Sequence, residues 1–171
     1  DMFGVGERMI TAKSEPVFGG VYKLTAVENE QGEIIPKIKC SENVEKITIP
    51  HFKKVYRLYN KENGKAIADY MTVYDEVVDE NEPMMLFDPY ATWKTKNVCN
   101  YQARELLVPV FLKGKRVYES PALKDIQTYC KQQVDTLWDE IKRFDNPQTY
   151  YVDLSQKLWD IQQELLRKNR N

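Results

Sequence analysis

The sequence predicts a mixed α/β chain, with β-hairpins first and helices last. Two observations carry that expectation. Residues 52–74 hold two apolar, β-branched and aromatic runs on either side of Asn63-Gly64, while residues 120–168 repeat apolar residues at spacings of three, four and seven. A third bounds it: 171 residues at 42% hydrophobic and 30% charged can bury a sizeable core and do not read as a disordered chain.

Each element follows in order. Gly4-Val5-Gly6 and Gly19-Gly20 punctuate the first 20 residues around the apolar stretch Met9 to Ala12. Val21 to Val27 reads as a strand, Asn29-Glu30-Gln31-Gly32 as a turn, and Ile34 to Lys39 as the return strand. Pro36 marks an edge or a bulge in that return. Lys46 to Ile49 reads as a short strand stopped by Pro50. Phe52 to Tyr59 and Lys65 to Tyr74 form a clearer hairpin, with Asn63-Gly64 supplying the positive φ of the connection. Asp75 to Pro83 is an acidic loop. Leu106 to Leu112 and Lys115 to Tyr118 flank Lys113-Gly114 as a second hairpin.

The helices come last. Ser120-Pro121 sets an N-cap residue before a first-turn proline. Leu123, Ile126, Cys130, Val134, Leu137, Ile141 and Phe144 then line one face, up to a break at Asn146-Pro147. Asp153 and Gln156 fit a capping box for a final helix with the stripe Leu154, Leu158, Ile161 and Leu165. Arg167, Lys168 and Arg170 complement its macrodipole. The chain divides into residues 1–50, a hairpin-rich segment 51–119 and a helical segment 120–171.

Composition narrows the classes of function. With 25 Lys+Arg against 26 Asp+Glu, the net charge of −1 offers no global attraction for nucleic acid or an anionic membrane. No apolar run approaches the ~20 residues of a bilayer span, and mean hydropathy is −0.61. Cys40, Cys99 and Cys130 are odd in number and lack CxxC spacing, so they read as free thiols of a reducing, cytoplasmic setting. His51 is the single histidine, which excludes a His cluster or a His pair. The start at Asp1-Met2-Phe3-Gly4 resembles the inside of a strand and glycine loop more than a domain start, so the chain reads as the later part of something longer.

Phe3-Gly4-Val5-Gly6-Glu7-Arg8 is the sharpest chemical feature. Two glycines one residue apart let the backbone approach a ligand, and a helix starting there would aim free N–H groups at a phosphate. It is neither the longer dinucleotide fingerprint, since position 9 is Met, nor a P-loop. On spacing alone a structural tight turn is the favoured reading. Asp75, Glu76, Asp79, Glu80 and Glu82 do not follow EF-hand spacing and read as a solvated loop. Lys53, Lys54 and Arg57, interleaved with Tyr56 and Tyr59, read as a solvated strand face rather than a nucleic-acid stripe. Trp93, Trp138 and Trp159 read as core or interface anchors, and Cys40 as a buried or inert thiol.

Several blocks closely resemble the later barrel segment of nicotinate phosphoribosyltransferases. They are Phe3-Gly4-Val5-Gly6 with Ile10-Thr11, Phe18-Gly19-Gly20-Val21-Tyr22-Lys23-Leu24, Lys39-Cys40-Ser41-Glu42-Asn43 with Glu45-Lys46, and Val55-Tyr56-Arg57-Leu58. Ala103-Arg104-Glu105-Leu106-Leu107-Val108-Pro109-Val110 and Tyr151-Val152-Asp153-Leu154-Ser155-Gln156-Lys157-Leu158 continue it, in family order. The resemblance implies an irregular α/β barrel with an accompanying α+β domain. It implies an enzyme of NAD biosynthesis that joins nicotinate to 5-phosphoribosyl 1-pyrophosphate (PRPP) with ATP hydrolysis and magnesium, in a homodimer. It places the ribose 5′-phosphate on Gly4, Val5, Gly6 and Glu7.

Two residues depart from the family pattern. Glu7 stands where relatives often carry Thr or Ser; a carboxylate beside a phosphate is repulsive, so Glu7 is expected to point away. Cys40 stands where an aliphatic residue is common, which implies a packing role. The phospho-histidine and the arginines that read the nicotinate carboxylate lie upstream of residue 1 in the family pattern, and His51 does not replace them. No catalytic residue and no metal ligand is therefore expected in this segment. Two alternatives stand beside this reading: a non-enzymatic phosphate-binding or assembly module, and a phosphoribosyltransferase for another pyridine base such as nicotinamide or quinolinate.

Overall fold

A computed structural model describes residues 2–11 and 19–169. Asp1, Ala12, Phe18 and Arg170, named above, lie outside them. A four-stranded sheet organises the chain. Its hairpin is β3 (Lys53–Asn60) and β4 (Ala66–Val73), formed where the sequence predicts it. Gly64 alone takes the positive φ of the connection, at 66°. Asn63 acts through its side chain, whose oxygen accepts from the Lys65 N–H at 2.9 Å.

Two strands complete the sheet across long sequence separations. β7 (Tyr101–Glu105) lies antiparallel to β3, and β10 (Val152–Leu154) runs parallel to β4, giving the order β10-β4-β3-β7. Three two-stranded pairs accompany it: β1 (Ala26–Glu28) with β2 (Ile34–Pro36), β5 (Met84–Asp88) with β6 (Ala91–Val98), and β8 (Phe111–Leu112) with β9 (Lys115–Arg116). The helices are α1 (Glu7–Thr11), α2 (Leu123–Asp135), α3 (Asp139–Lys142) and α4 (Gln156–Lys168).

Register assigns the faces. Leu58 and Ala68 are paired and share a side with Tyr101; that side packs against Leu86 and Val98 of the β5–β6 hairpin as the larger core. Val73 and Leu154 face the other way and pack against Leu158 of α4. Hairpin and helix meet at Phe87 and Trp159, edge to face with centroids 6.0 Å apart.

Several expectations are corrected. Residues 21–25 form no strand; only Ala26–Glu28 finds a partner. Val44–Lys46 is a 3-10 turn where a strand over 46–49 was expected. The second hairpin contracts to β8 and β9, turning through Lys113 and Gly114 at positive φ. Ser120 caps nothing: α2 starts at Leu123 behind Ala122, which offers no side-chain cap. The predicted long helix breaks after Asp135, where the Thr136 hydroxyl donates to the Gln133 carbonyl, and α3 ends at Lys142, short of Phe144. No residue of α2 is buried, so its apolar face is left open among the described residues.

The last helix is capped differently from the expectation. Ser155, not Asp153, accepts from the Leu158 N–H. Its hydroxyl also donates to Glu76 at 2.7 Å, which ties the acidic loop to the helix start. Asp153 belongs to β10, 5% exposed, and burial followed by the charge of Asp88 pushes its carboxyl up to about 6. A carboxyl raised in the folded state opposes folding as it ionises. That cost is absent below pH ~4, grows as pH rises, and is full above pH ~6. Asp153→Asn is therefore expected to stabilise the chain by about 1–2 kcal/mol at pH 7.5, allowing for partial solvent access, and by nothing at pH 3.5. Urea melts at the two pH values check this.

Candidate functional site

The glycine loop comes first because the sequence places the phosphate there. Residues 2–6 carry no regular structure, and helix α1 begins at Glu7, at the point where the motif ends. Gly4, Val5, Gly6 and Glu7 are all exposed. Neither glycine adopts positive φ, and a Cβ added to either would meet no described residue within 4 Å. Backbone geometry in this chain therefore does not itself require glycine at positions 4 and 6. The same holds at Gly19 and Gly20.

Two of the basic strand residues read above as a solvated face, Arg57 and Lys53, are instead engaged. Asp69, Arg57 and Arg104 lie side by side across β4, β3 and β7. The Arg57 guanidinium is bidentate on Asp69, at 2.7 and 2.9 Å, and the Tyr150 hydroxyl donates to the same carboxylate at 2.9 Å. The Asp69 hydrogen bond raises the Arg57 pKa, while burial followed by Asp69 raises that of the Tyr150 phenol. Among the described residues Arg104 meets no carboxylate. It donates to Gln133 of α2 at 2.5 Å and lies over the Tyr59 and Tyr129 rings, 5.4 and 6.0 Å from their centroids. These contacts fasten α2 to the sheet despite its exposed apolar face.

Lys53 is also structural: its ammonium caps the carbonyls of Ile49, Pro50 and His51, and burial lowers its pKa. His51 is buried at φ 79°, accepts from the Phe52 N–H through Nδ1, and stacks on Tyr74. That backbone setting suits glycine and gives the ring a packing role.

The acidic loop is a clasp more than a solvated segment. Glu76 accepts from the Val73 N–H and from Ser155, Glu80 from the Ala103 N–H, and the Asp79 carbonyl from the Tyr101 hydroxyl. Asp75 pairs with Lys157 at 2.8 Å. Among the described residues no three His, Cys, Asp or Glu side chains converge to hold a metal ion.

Other candidates move outward. Cys40, Cys99 and Cys130 are all exposed, so the packing role expected for Cys40 is not met within this chain. Trp93 is 78% exposed and anchors no core here, whereas Trp159 is half-buried and the Trp138 indole donates to the Ala66 carbonyl at 3.0 Å. Met2, Phe3, Val21, Tyr22, Phe111 and Leu112 stand exposed as well. Sequence reasoning missed the Arg104–Gln133–Tyr129 cluster; the signal was Tyr129 and Gln133 four residues apart, one turn of the predicted helix.

Comparison with known proteins meets this geometry along most of its length. The model of the nicotinate phosphoribosyltransferase C-terminal domain matches residues 52–162, from β3 into α4. The chain is 42% identical over 159 residues to a nicotinate phosphoribosyltransferase of Bacillus subtilis, covering 93% of this chain and 32% of that protein. It is 33% identical over 169 residues to the nicotinate phosphoribosyltransferase of Caenorhabditis elegans, covering 98% of this chain and 29% of that one. The chain thus spans about a third of the length of these relatives. A crystal structure of human nicotinic acid phosphoribosyltransferase shares the fold at a TM-score of 0.63 and 23% identity, over 70% of this chain and 24% of that one. Because the domain model runs through the sheet, its covering hairpin and the last helix, the chain belongs to the nicotinate phosphoribosyltransferase family.

Proposed function

We propose that this chain forms the C-terminal part of an enzyme that joins nicotinate to PRPP, yielding nicotinate mononucleotide and pyrophosphate with coupled ATP hydrolysis. The observation that carries the reading is the 42% identity across 93% of the chain to a protein of that name. In this account residues 1–50 help close a barrel, and the rest supplies scaffold. The exposed Met2, Phe3, Val21 and Tyr22 support it, since they are apolar residues with no cover from this chain and would pack against the remainder of the barrel.

The chemistry asks two things of the protein. Charge with oxocarbenium character develops at the ribose, and the sugar must be held so that nicotinate meets the anomeric carbon. Grip on the non-reacting 5′-phosphate supplies binding energy that can be used at that centre. Gly4, Val5, Gly6 and Glu7 would present their backbone N–H groups to it. The exposure of the loop and the absence of any conformational need for glycine favour close approach of a ligand as the reason for both glycines. Glu7 would contribute its N–H while its carboxylate points to solvent.

Magnesium would enter with the pyrophosphate-bearing substrate, whose phosphates supply most of its ligands, and ATP as a co-substrate. The enzyme would be a cytoplasmic homodimer. Among the described residues no helix is long and apolar enough to cross a membrane. The test is product formation from nicotinate, PRPP and ATP. The protein that contains this chain is expected to make nicotinate mononucleotide, and the 171-residue chain alone to make none. Product from the chain alone would overturn the assignment of catalysis to upstream residues.

A further inference from the structure

A cavity of about 130 Å³ opens between the β5–β6 hairpin and the β4–β10 side of the sheet. Ile67, Leu86 and Phe87 contribute its apolar wall, while Asp153, Lys94 and Lys96 contribute charge. Strand register explains how charges come to line it. Leu86 pairs with Lys96 and Met84 with Val98, so Lys94 and Lys96 share the side of the buried Val98. The hairpin face turned to the sheet therefore changes from apolar at its open end to basic near its turn, although both lysines reach solvent.

Asp153 comes from the opposite wall. β10 pairs Leu154 with Met71 on the α4 side and Asp153 with Tyr70 on the hairpin side. Asp153 is 5% exposed as a residue, lines the cavity, and accepts no hydrogen bond from a described residue through its carboxyl. Among the described residues, neither Lys94 nor Lys96 closes an ion pair with it or with Asp88. Asp88 is already committed to its turn, accepting from the Tyr90 and Ala91 N–H groups. A largely buried carboxyl that no described donor reaches, opening on a cavity with two lysines beside it, is costly to ionise unless a partner lies between them.

We infer that this cavity binds a small zwitterion of single-ring size. Its ammonium or N–H donor sits on the Asp153 carboxylate, its ring lies between Ile67, Leu86 and Phe87, and its carboxylate meets Lys94 and Lys96 at the mouth. The volume suits one six-membered ring, since apolar protein cavities of about 150 Å³ take up benzene. A plain cation would face the two lysines, and a plain anion would face Asp153 and Asp88. A ligand carrying both charges satisfies both ends.

Calorimetric titration of the full chain with three one-ring probes tests this: 3-(aminomethyl)benzoate, benzylamine and benzoate. The zwitterion is expected to bind at least about tenfold more tightly than either singly charged probe. Asp153→Asn is expected to cut its affinity at least about tenfold and to leave benzoate bound no more weakly. The joint replacement Lys94→Met with Lys96→Met, at exposed positions that do not threaten folding, is expected to weaken the zwitterion and not benzylamine. Equal affinity for zwitterion and single-charge probes overturns the inference. So does unchanged binding in the lysine variant, or no binding of any probe at about 10 mM.

Discussion

In the complete enzyme, Gly6→Val is expected to raise KM for PRPP at least about tenfold, or about 1.4 kcal/mol of binding, while KM for nicotinate stays nearly constant. The added side chain would hold the backbone away from the ribose phosphate, and only a ligand that needs close approach feels that. The variant is informative because the chain's own fold tolerates it: φ at Gly6 is not positive and its Cβ would meet nothing within 4 Å. A thermal melt should therefore be unmoved. Steady-state kinetics with PRPP as the varied substrate give the readout, and unchanged KM would remove the loop from the phosphate site. Glu7→Thr sharpens the picture. With the carboxylate pointing outward it should change PRPP affinity by less than an order of magnitude, and a larger gain would mean that Glu7 had been repelling the phosphate.

Leu58→Ala is expected to destabilise the fold by about 2–5 kcal/mol, measured by urea denaturation. Leu58 is fully buried at the middle of β3 and joins Ala68, Leu86, Val98 and Tyr101 in the larger core. Truncation there leaves a void between sheet and hairpin, since the sheet backbone on one side and the β5–β6 pair on the other cannot both close in. Leu58→Met keeps the volume and should cost less than about 1.5 kcal/mol. A loss below about 1 kcal/mol for the alanine variant would mean that the hairpin does not pack on the sheet as described.

Local signals made part of this fold legible. The β3–β4 hairpin was readable because its alternation and its Asn63-Gly64 turn agree, and α4 because Leu158, Ile161 and Leu165 form one stripe, although Leu154, read with them, belongs to β10. The turn at Gly32 was readable for the same reason, with φ at 79°. Pairing that depends on distant partners was not. β10 joins β4 across more than 80 residues, and β5–β6 turns through Asp88 and Pro89 without the Asn-Gly or Asp-Gly signal that marks a tight hairpin. Residues 21–25 show the converse: β-branched and aromatic residues make a strand only where another strand pairs with them.

The candidate site divides in the same way. Its glycine motif could be read from four residues, and the family from ordered blocks along the chain. The engagement of Lys53 and Arg57 could not, because their partners, the carbonyls after Ile49 and the carboxylate of Asp69, are set by a bend and by strand register. The N-cap of α4 fell on Ser155 because Asp153 was already taken into β10. That one displacement leaves Asp153 buried beside a cavity, with no donor to its carboxyl among the described residues.

Turnover of labelled PRPP by the protein that contains this chain tests the central claim most directly, with nicotinate, nicotinamide and quinolinate offered in parallel, each with and without ATP. The account predicts nicotinate mononucleotide from nicotinate, faster with ATP, and little product from the other two bases. Turnover with nicotinamide or quinolinate in place of nicotinate would contradict it.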